Sequence, residues 1–315
     1  SMANYVFGVD VGGTTVKLGL FDIDGNLQDK WEIPTRTENG GVNILPDVAA
    51  SVQAKMEEKG ITKDDVAGVG IGAPGPVDGR GIIHKAVNLG WSEMNLKKEL
   101  SELLGGMQVE GGNDANVAAL GEMWQGGGKG FTDIVMITLG TGVGGGVIID
   151  EQIITGKHGL GGEIGHIHVR DEETEHCNCG GVGCLEQVAS ATGIAREARR
   201  KMAASDTPSV LREVGDQVTA KDVLDAAKAG DALALEVMEV VGHYLGVALA
   251  SLALTVDPQM FVIGGGVSKA GQYLIEVINR HYAQYMPISE NRGTVGLAKL
   301  GNDAGIYGAA RLVLG

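Results

Sequence analysis

Aromatic residues make up only 4 % of the 315-residue chain. The stacking platforms that hold single-stranded nucleic acid are therefore not expected. Positive charge is scarce as well: 25 lysines and arginines stand against 40 acidic residues, a net charge of -15. A field of that sign repels nucleic acid and anionic membrane surfaces. No run approaches the ~18–20 consecutive apolar residues of a membrane-spanning helix, so no membrane partner is expected. The opening SMANYVFGVDVGG enters a strand pattern at once, with neither a basic n-region nor a cleavage site. No signal peptide is expected, and the expected location is the cytoplasm. Cysteine occurs three times, at Cys177, Cys179 and Cys184. An odd, clustered set points to a metal site rather than a disulfide framework.

Glycine is abundant, at 52 residues without a three-residue period, which excludes collagen and implies many tight turns. With 43 % hydrophobic residues the chain can bury a large core, in one large or two medium domains. Apolar β-rich runs at 5–10 and 15–22 flank the turn Gly12-Gly13-Thr14, and a third run lies around Trp31–Ile33. Helical spacing covers 45–59; a strand at 66–71 runs into a loop at 72–76. A strand at 82–84, a helix at 96–104, a strand near 107–109 and a helical stretch at 117–124 follow.

The opening phrase then repeats: strand 133–139, turn Gly140-Thr141-Gly142, strand 143–149 and a short run at 152–154. Thr138 aligns with Asp10, Gly140 with Gly12 and Gly142 with Thr14, a constant offset of 128 residues. A duplicated domain with two facing turns is expected, with a boundary near Glu110–Gly112. Helices are expected at 185–202, 220–228, 232–255, 273–285 and 303–314, with a buried strand at 260–263 before Gly264-Gly265-Gly266.

Glycine turns let backbone N–H groups approach phosphate, and Asp10 and Lys17 add a carboxylate for hydrated magnesium and a positive charge. Gly140–Gly146 also fits a dinucleotide fingerprint and a kinase glycine-rich loop. A strand follows where the first requires a helix, and no H-R-D or D-F-G accompanies the second. Asn113-Asp114 reads either as a helix N-cap or as a general base with its orienting amide. One histidine with the three cysteines completes a closed Cys₃His zinc tetrahedron. His166, His168 and His176 are the candidate histidines. Such a loop would hold Glu163, His166 and Glu186 together as groups suited to polyhydroxylated ligands.

These motifs together resemble the ROK family of bacterial sugar kinases, and within it the glucokinases of Gram-positive bacteria. The carriers are Asp10–Lys17, Gly72–Gly75, Asn113–Asn116, Thr138–Gly146, Glu163–His166, Cys177–Glu186 and Gly264–Ser268. The resemblance implies an α/β fold of two domains, actin-like and hexokinase-like (ribonuclease H-like), with duplicated mixed sheets and an interdomain cleft. Residues 1–111 would form a small domain on which the 303–315 helix packs back; 112–302 would form a large domain with the zinc loop. The implied activity is ATP-dependent phosphorylation of D-glucose at its 6-hydroxyl, with Asp114 as general base. The alternatives are a kinase for fructose, mannose or an N-acetylhexosamine, or an inactive sugar sensor.

By the same resemblance, Gly75, Asn113, Asp114, Glu163, His166 and Glu186 would bind sugar. Asp10, Gly12, Gly13, Thr14, Thr15, Lys17, Gly140, Thr141 and Gly142 would hold the phosphates of magnesium-bound ATP. Gly265 and Gly266 would adjoin the adenosine. Structural zinc would sit on His166, Cys177, Cys179 and Cys184, with His168 still open as a substitute ligand. A homodimer or homotetramer is implied. The repressor members' DNA-binding segment is not expected, because the phosphate turn begins by residue 12.

Overall fold

The computed structural model describes residues 2–315. Strands β1 (Tyr5–Val11), β2 (Thr15–Asp22), β3 (Leu27–Pro34) and β4 (Val66–Ala73) come first, followed by the two-residue β5 (Ile82–Ile83) and β6 (Met94–Asn95). Then come β7 (Val109–Asn113), β8 (Ile134–Leu139), β9 (Val143–Ile149), β10 (Gln152–Ile153), β11 (Met260–Gly264) and β12 (Thr294–Leu297). The helices are α1 (Glu38–Gly41), α2 (Ile44–Lys59), α3 (Leu96–Leu103), α4 (Asp114–Gln125), α5 (Glu186–Ala189) and α6 (Ala191–Ala204). After them lie α7 (Leu211–Val214), α8 (Ala220–Lys228), α9 (Ala232–Val256), α10 (Gln272–Tyr285) and α11 (Ala304–Leu314).

Two five-stranded mixed sheets carry the α/β fold, in the orders β3-β2-β1-β4-β7 and β10-β9-β8-β11-β12. The orders correspond strand for strand, which is the duplication that the 128-residue offset points to. In the first sheet β2 runs antiparallel to β1 and β3, whereas β1, β4 and β7 are parallel. In the second, β8, β11 and β12 are parallel.

The chain divides into two compact units. The first holds the described residues up to Asp133, with Gly146–Gly162 and Leu300–Gly315; the second holds Ile134–Gly145 and Glu163–Lys299. The first unit thus runs past residue 111, to Asp133, and the second is not one continuous stretch. The cause is helix packing. Helix α4 lies against α11, and a Cβ on Gly308 would collide with the Val117 carbonyl. Gly146 is drawn into the same unit, since its Cβ would stand 2.6 Å from Ala119 Cβ.

Period-two alternation assigns the faces of the first sheet. Phe7, Val9, Leu18 and Leu20 are fully buried with Ile44, Val48 and Val52 of α2. Val6 and Phe21, of opposite parity, are buried with Ile306 and Ala310 of α11. Gly8 and Gly70 let α11 approach this second face, since a Cβ on either would meet the Ile306 or Ala309 carbonyl. Part of the glycine excess thus serves backbone-to-sheet packing rather than turns.

Three further expectations change. Strand β7 continues through Gly111-Gly112 to Asn113, because parallel pairing of Ile71–Ala73 with Gly111–Asn113 outweighs the low strand propensity of glycine. The helix expected over 185–202 breaks at Ser190, whose hydroxyl accepts from Gly193 N and caps α6. Helix α9 is long and apolar enough to cross a membrane by length and composition, with a mean hydropathy of 1.6, although no such run was expected. It packs against α5, α6, α8 and α10, as a core helix.

Candidate active site and metal cluster

In the first unit the β1–β2 turn closes with Gly12 N donating to Thr15 O at 3.0 Å. Thr35 holds it from β3's end: its hydroxyl donates to Gly12 O at 2.7 Å and its N–H to Thr14 O at 2.9 Å. A side chain on Gly13 would meet nothing within 4 Å, so this part of the turn is open. Asp10 precedes the turn and pairs across the sheet with Lys17 and Gly72. Its carboxylate lies over the first turn of α11, where a Cβ on Gly305 would stand 2.5 Å from Asp10 Oδ2. Burial first, and the Asp114 carboxylate second, push Asp10 up to about 6 against the opposing pull of Lys17. Lys17 Nζ donates to Asn302 O at 3.2 Å, so its influence on Asp10 is electrostatic.

Asn113 takes the capping role at the start of α4. Its Oδ1 accepts from Ala115 N (3.1 Å) and Asn116 N (3.3 Å), and its Nδ2 donates to Gly75 O at 2.7 Å. Gly75 needs its left-handed φ of +99°, and a Cβ there would lie 2.7 Å from Lys85 O. Because Asn113 is the cap, Asp114 stands one residue on, exposed, with Oδ1 accepting from Ala115 N at 2.8 Å. Within this helix Glu122 is fully buried and accepts from Gly127 N (2.9 Å) and Leu300 N (3.0 Å). It thereby ties the end of α4 to the segment leading into α11; a buried acid flanked by Gly121 and Met123 gives no sequence sign of that role.

In the second unit the Gly140–Gly142 turn is held from outside itself. Gly140 O accepts from Ala191 N at 2.7 Å and Thr141 O from the Thr192 hydroxyl at 3.1 Å, both at the start of α6. Val143 N donates to Glu186 Oε1 at 3.0 Å. The capping sequence Ser190-Ala191-Thr192 was the available signal for these tethers, hidden inside an apparently unbroken helix. On the other side of the turn, Gly265 has φ +85° and its Cβ would lie 2.5 Å from Leu139 O; Gly266 is open. A cavity of about 460 Å³ is lined by Gly140, Thr141, Gly266, Ala220, Leu224 and Val267 among others.

His166, Cys177, Cys179 and Cys184 bring one ligand atom each to within 4.8 Å of one another. His168 is excluded from this group, because its ring nitrogens are engaged by Val182 O (2.6 Å) and Asp171 Oδ1 (2.7 Å). His176 turns to Gly180 O at 3.2 Å. The Cys179 and Cys184 sulfurs are 3.5 Å apart, close to the roughly 3.8 Å edge of a tetrahedron with ~2.3 Å zinc–sulfur bonds. Burial pushes Cys184 up to about 12 and raises Cys177, whereas the Gly181 N–H and Cys184 bring Cys179 down to about 7. Three thiolates in one place are unfavourable without a dication, so the donor set fits zinc. Glu163 stands beside the cluster, with Oε2 3.8 Å from His166 Nε2, and both side chains are partly exposed. Glu186 Oε2 lies 3.7 Å from the Cys177 sulfur.

A family model described as the ROK family matches residues 6–315. A glucokinase of Halalkalibacterium halodurans is 45 % identical, over 97 % of this chain and 94 % of that protein. Among solved structures, the ROK hexokinase of Thermus thermophilus is similar with a TM-score of 0.82 and 32 % identity, covering 98 % of this chain and 97 % of that one. The ROK family glucokinase of Streptomyces griseus, solved with glucose and AMPPNP, has a TM-score of 0.73 and 35 % identity, covering 98 % of each chain. With a matching duplicated fold over its whole described length, this chain belongs to the ROK family.

Proposed function

We infer that this chain is an ATP-dependent glucokinase, transferring the γ-phosphoryl group to the 6-hydroxyl of D-glucose. The 45 % identity to a glucokinase across nearly the whole chain carries this reading. The Streptomyces griseus relative, solved with glucose and an ATP analogue, supports the donor.

Asp114 is the general base in this reading. It takes the proton of the 6-hydroxyl as that oxygen bonds to the γ-phosphorus and the bond to the β-bridging oxygen breaks, releasing ADP. Exposure at the start of α4 suits it to that task. Gly75 and Asn113 position the sugar on the same unit, and Glu163, His166 and Glu186 contact its hydroxyls. Backbone N–H groups of the Gly12–Thr15 and Gly140–Gly142 turns hold the phosphates, with Lys17 adding charge. Gly265 and Gly266 adjoin the adenosine. Asp10 would hold the magnesium of bound ATP, which would neutralise phosphoryl charge. Zinc on His166, Cys177, Cys179 and Cys184 supplies order to the loop that bears the sugar contacts.

The test is a coupled-enzyme assay of ATP consumption against a panel of hexoses. Glucose is expected to give the highest kcat/KM. A higher value for fructose, mannose or an N-acetylhexosamine would reassign the substrate, and no turnover with any hexose would remove the activity.

A further inference from the structure

One side chain touches both the metal cluster and the second glycine turn. Glu186 opens α5 two residues after Cys184, and its Oε1 accepts from Val143 N at 3.0 Å, immediately behind Gly142. Its Oε2 is 3.7 Å from the Cys177 sulfur. The fit against the turn is close, since a Cβ on Gly142 would stand 2.5 Å from Glu186 Oε1. A methyl on Gly142 would have to displace that carboxylate. Around this contact the loop is already braced: Gln187 Oε1 accepts from Gly183 N (2.7 Å) and Cys184 N (3.0 Å), and its Nε2 donates to Glu175 O (2.9 Å).

We propose that Glu186 is a positioning residue through which occupancy of the Cys₃His cluster sets the Gly140–Gly142 turn, so that metal binding strengthens nucleotide binding as well as sugar binding. This rests on the reading of that turn as a phosphate-holding element. The reasoning is mechanical. Ligation of Cys177, whose sulfur lies 3.7 Å from Glu186 Oε2, and of Cys184, two residues before Glu186, fixes the loop that leads into this contact, and the carboxylate then holds the Val143 amide and the turn in one conformation. Without the ligated loop the carboxylate has more positions to sample, and the turn must be ordered by the nucleotide itself, which lowers affinity. Linkage makes the effect reciprocal: bound nucleotide should tighten the metal.

The experiment is calorimetric titration of magnesium-bound AMPPNP into the full chain without hexose, in zinc-loaded, chelator-stripped and zinc-reloaded protein. Stripping is expected to raise the nucleotide Kd about tenfold, as for loss of one hydrogen bond, and reloading to restore it. Glu186→Ala should show the weakened Kd with zinc bound and little further change on stripping. Glu186→Gln, which keeps an acceptor for Val143 N–H, should retain both the affinity and the response to zinc. Nucleotide affinity indifferent to zinc in folded protein, or a zinc response in Glu186→Ala equal to that of the wild type, would overturn the proposal. Should circular dichroism show that stripping unfolds the protein, the zinc-loaded Ala and Gln variants decide it: equal Kd values would refute the role of the acceptor. Hexose turnover, measured separately, tests the glucokinase reading, so the two failures are distinguishable.

Discussion

The two glycine turns occupy matching places in two sheets of matching strand order, yet they are held in different ways. Gly12–Thr14 is fastened by Thr35 at the end of its own hairpin neighbour, and it carries the strained acid Asp10 just ahead of it. Gly140–Gly142 has Thr138 in place of that acid and is fastened by α6 and by Glu186 beside the metal cluster. A repeated strand–turn–strand phrase fixes local geometry. What tethers each turn is decided by elements tens of residues away, and there the copies have diverged. The first turn has a buried acid ahead of it; the second is held by a side chain that also adjoins a candidate metal cluster.

The sharpest way to break this division is at Asp114. Asp114→Asn should lower kcat by about 10²–10⁴-fold, the range for loss of a general base, with little loss of thermal midpoint because asparagine keeps an acceptor for Ala115 N and Asn113 caps α4. Retained turnover in the hexose assay would place the proton acceptor elsewhere.

The same small-to-larger change in the two turns should give unequal results. Gly142→Ala drives a methyl against Glu186 Oε1, 2.5 Å away, whereas Gly13→Ala points one into open space. The first should displace the carboxylate from Val143 N, cost about 1 kcal/mol as for one lost hydrogen bond, and weaken AMPPNP binding. The second should leave the thermal midpoint within about a degree, a shift well under the ~2–4 °C that 1 kcal/mol produces in a large domain. Equal midpoint losses would remove the distinction between the tethers.

Much of the fold was legible because hydrophobic period and turn chemistry are local. The paired hairpins, α2, α8 and the end of α9 all read directly from spacing. Strand β7 was cut short because Gly111-Gly112 carries no strand signal, its support coming from β4 across a parallel ladder. The reach of the first unit past residue 111 was hidden for a similar reason: the Gly121–Gly308 contact joins residues far apart in sequence, and glycine there looks like a helix weakness rather than a packing surface. At the site, residue types announced the thiol cluster, but the choice among three histidines needed the hydrogen bonds that occupy His168. Thr35 and Glu122 act only through partners that the fold supplies, so nothing local marked them.

A smaller effect is expected at Asp10. Its carboxyl is raised to about 6, so the folded state prefers the protonated form. Stability therefore falls as pH rises from the unfolded value near 4 through 6, and the cost persists above it. Asp10→Asn should raise stability at pH 8 by an amount on the order of 1 kcal/mol, and with it the midpoint, and leave both almost unaltered at pH 4, while reducing phosphoryl transfer. A midpoint that falls equally at both pH values would show a structural role without a charge cost. No comparable trade is expected at Thr138, the matching position of the second sheet.

The smallest effects come from the hydroxyls that hold each turn, and they form a matched pair. Thr35 donates to Gly12 O at 2.7 Å from a part-buried position, and Thr192 donates to Thr141 O at 3.1 Å from an exposed one. Thr35→Val leaves a part-buried carbonyl without its donor and should cost about 1 kcal/mol. Thr192→Val exposes its carbonyl to water, which replaces the lost donor, so the change should stay within about 0.5 kcal/mol. Urea midpoints at constant m-value measure both. If Thr192→Val proved the costlier, the second turn would depend on α6 more than on Glu186, and the support of the two turns would be more alike than their contacts imply.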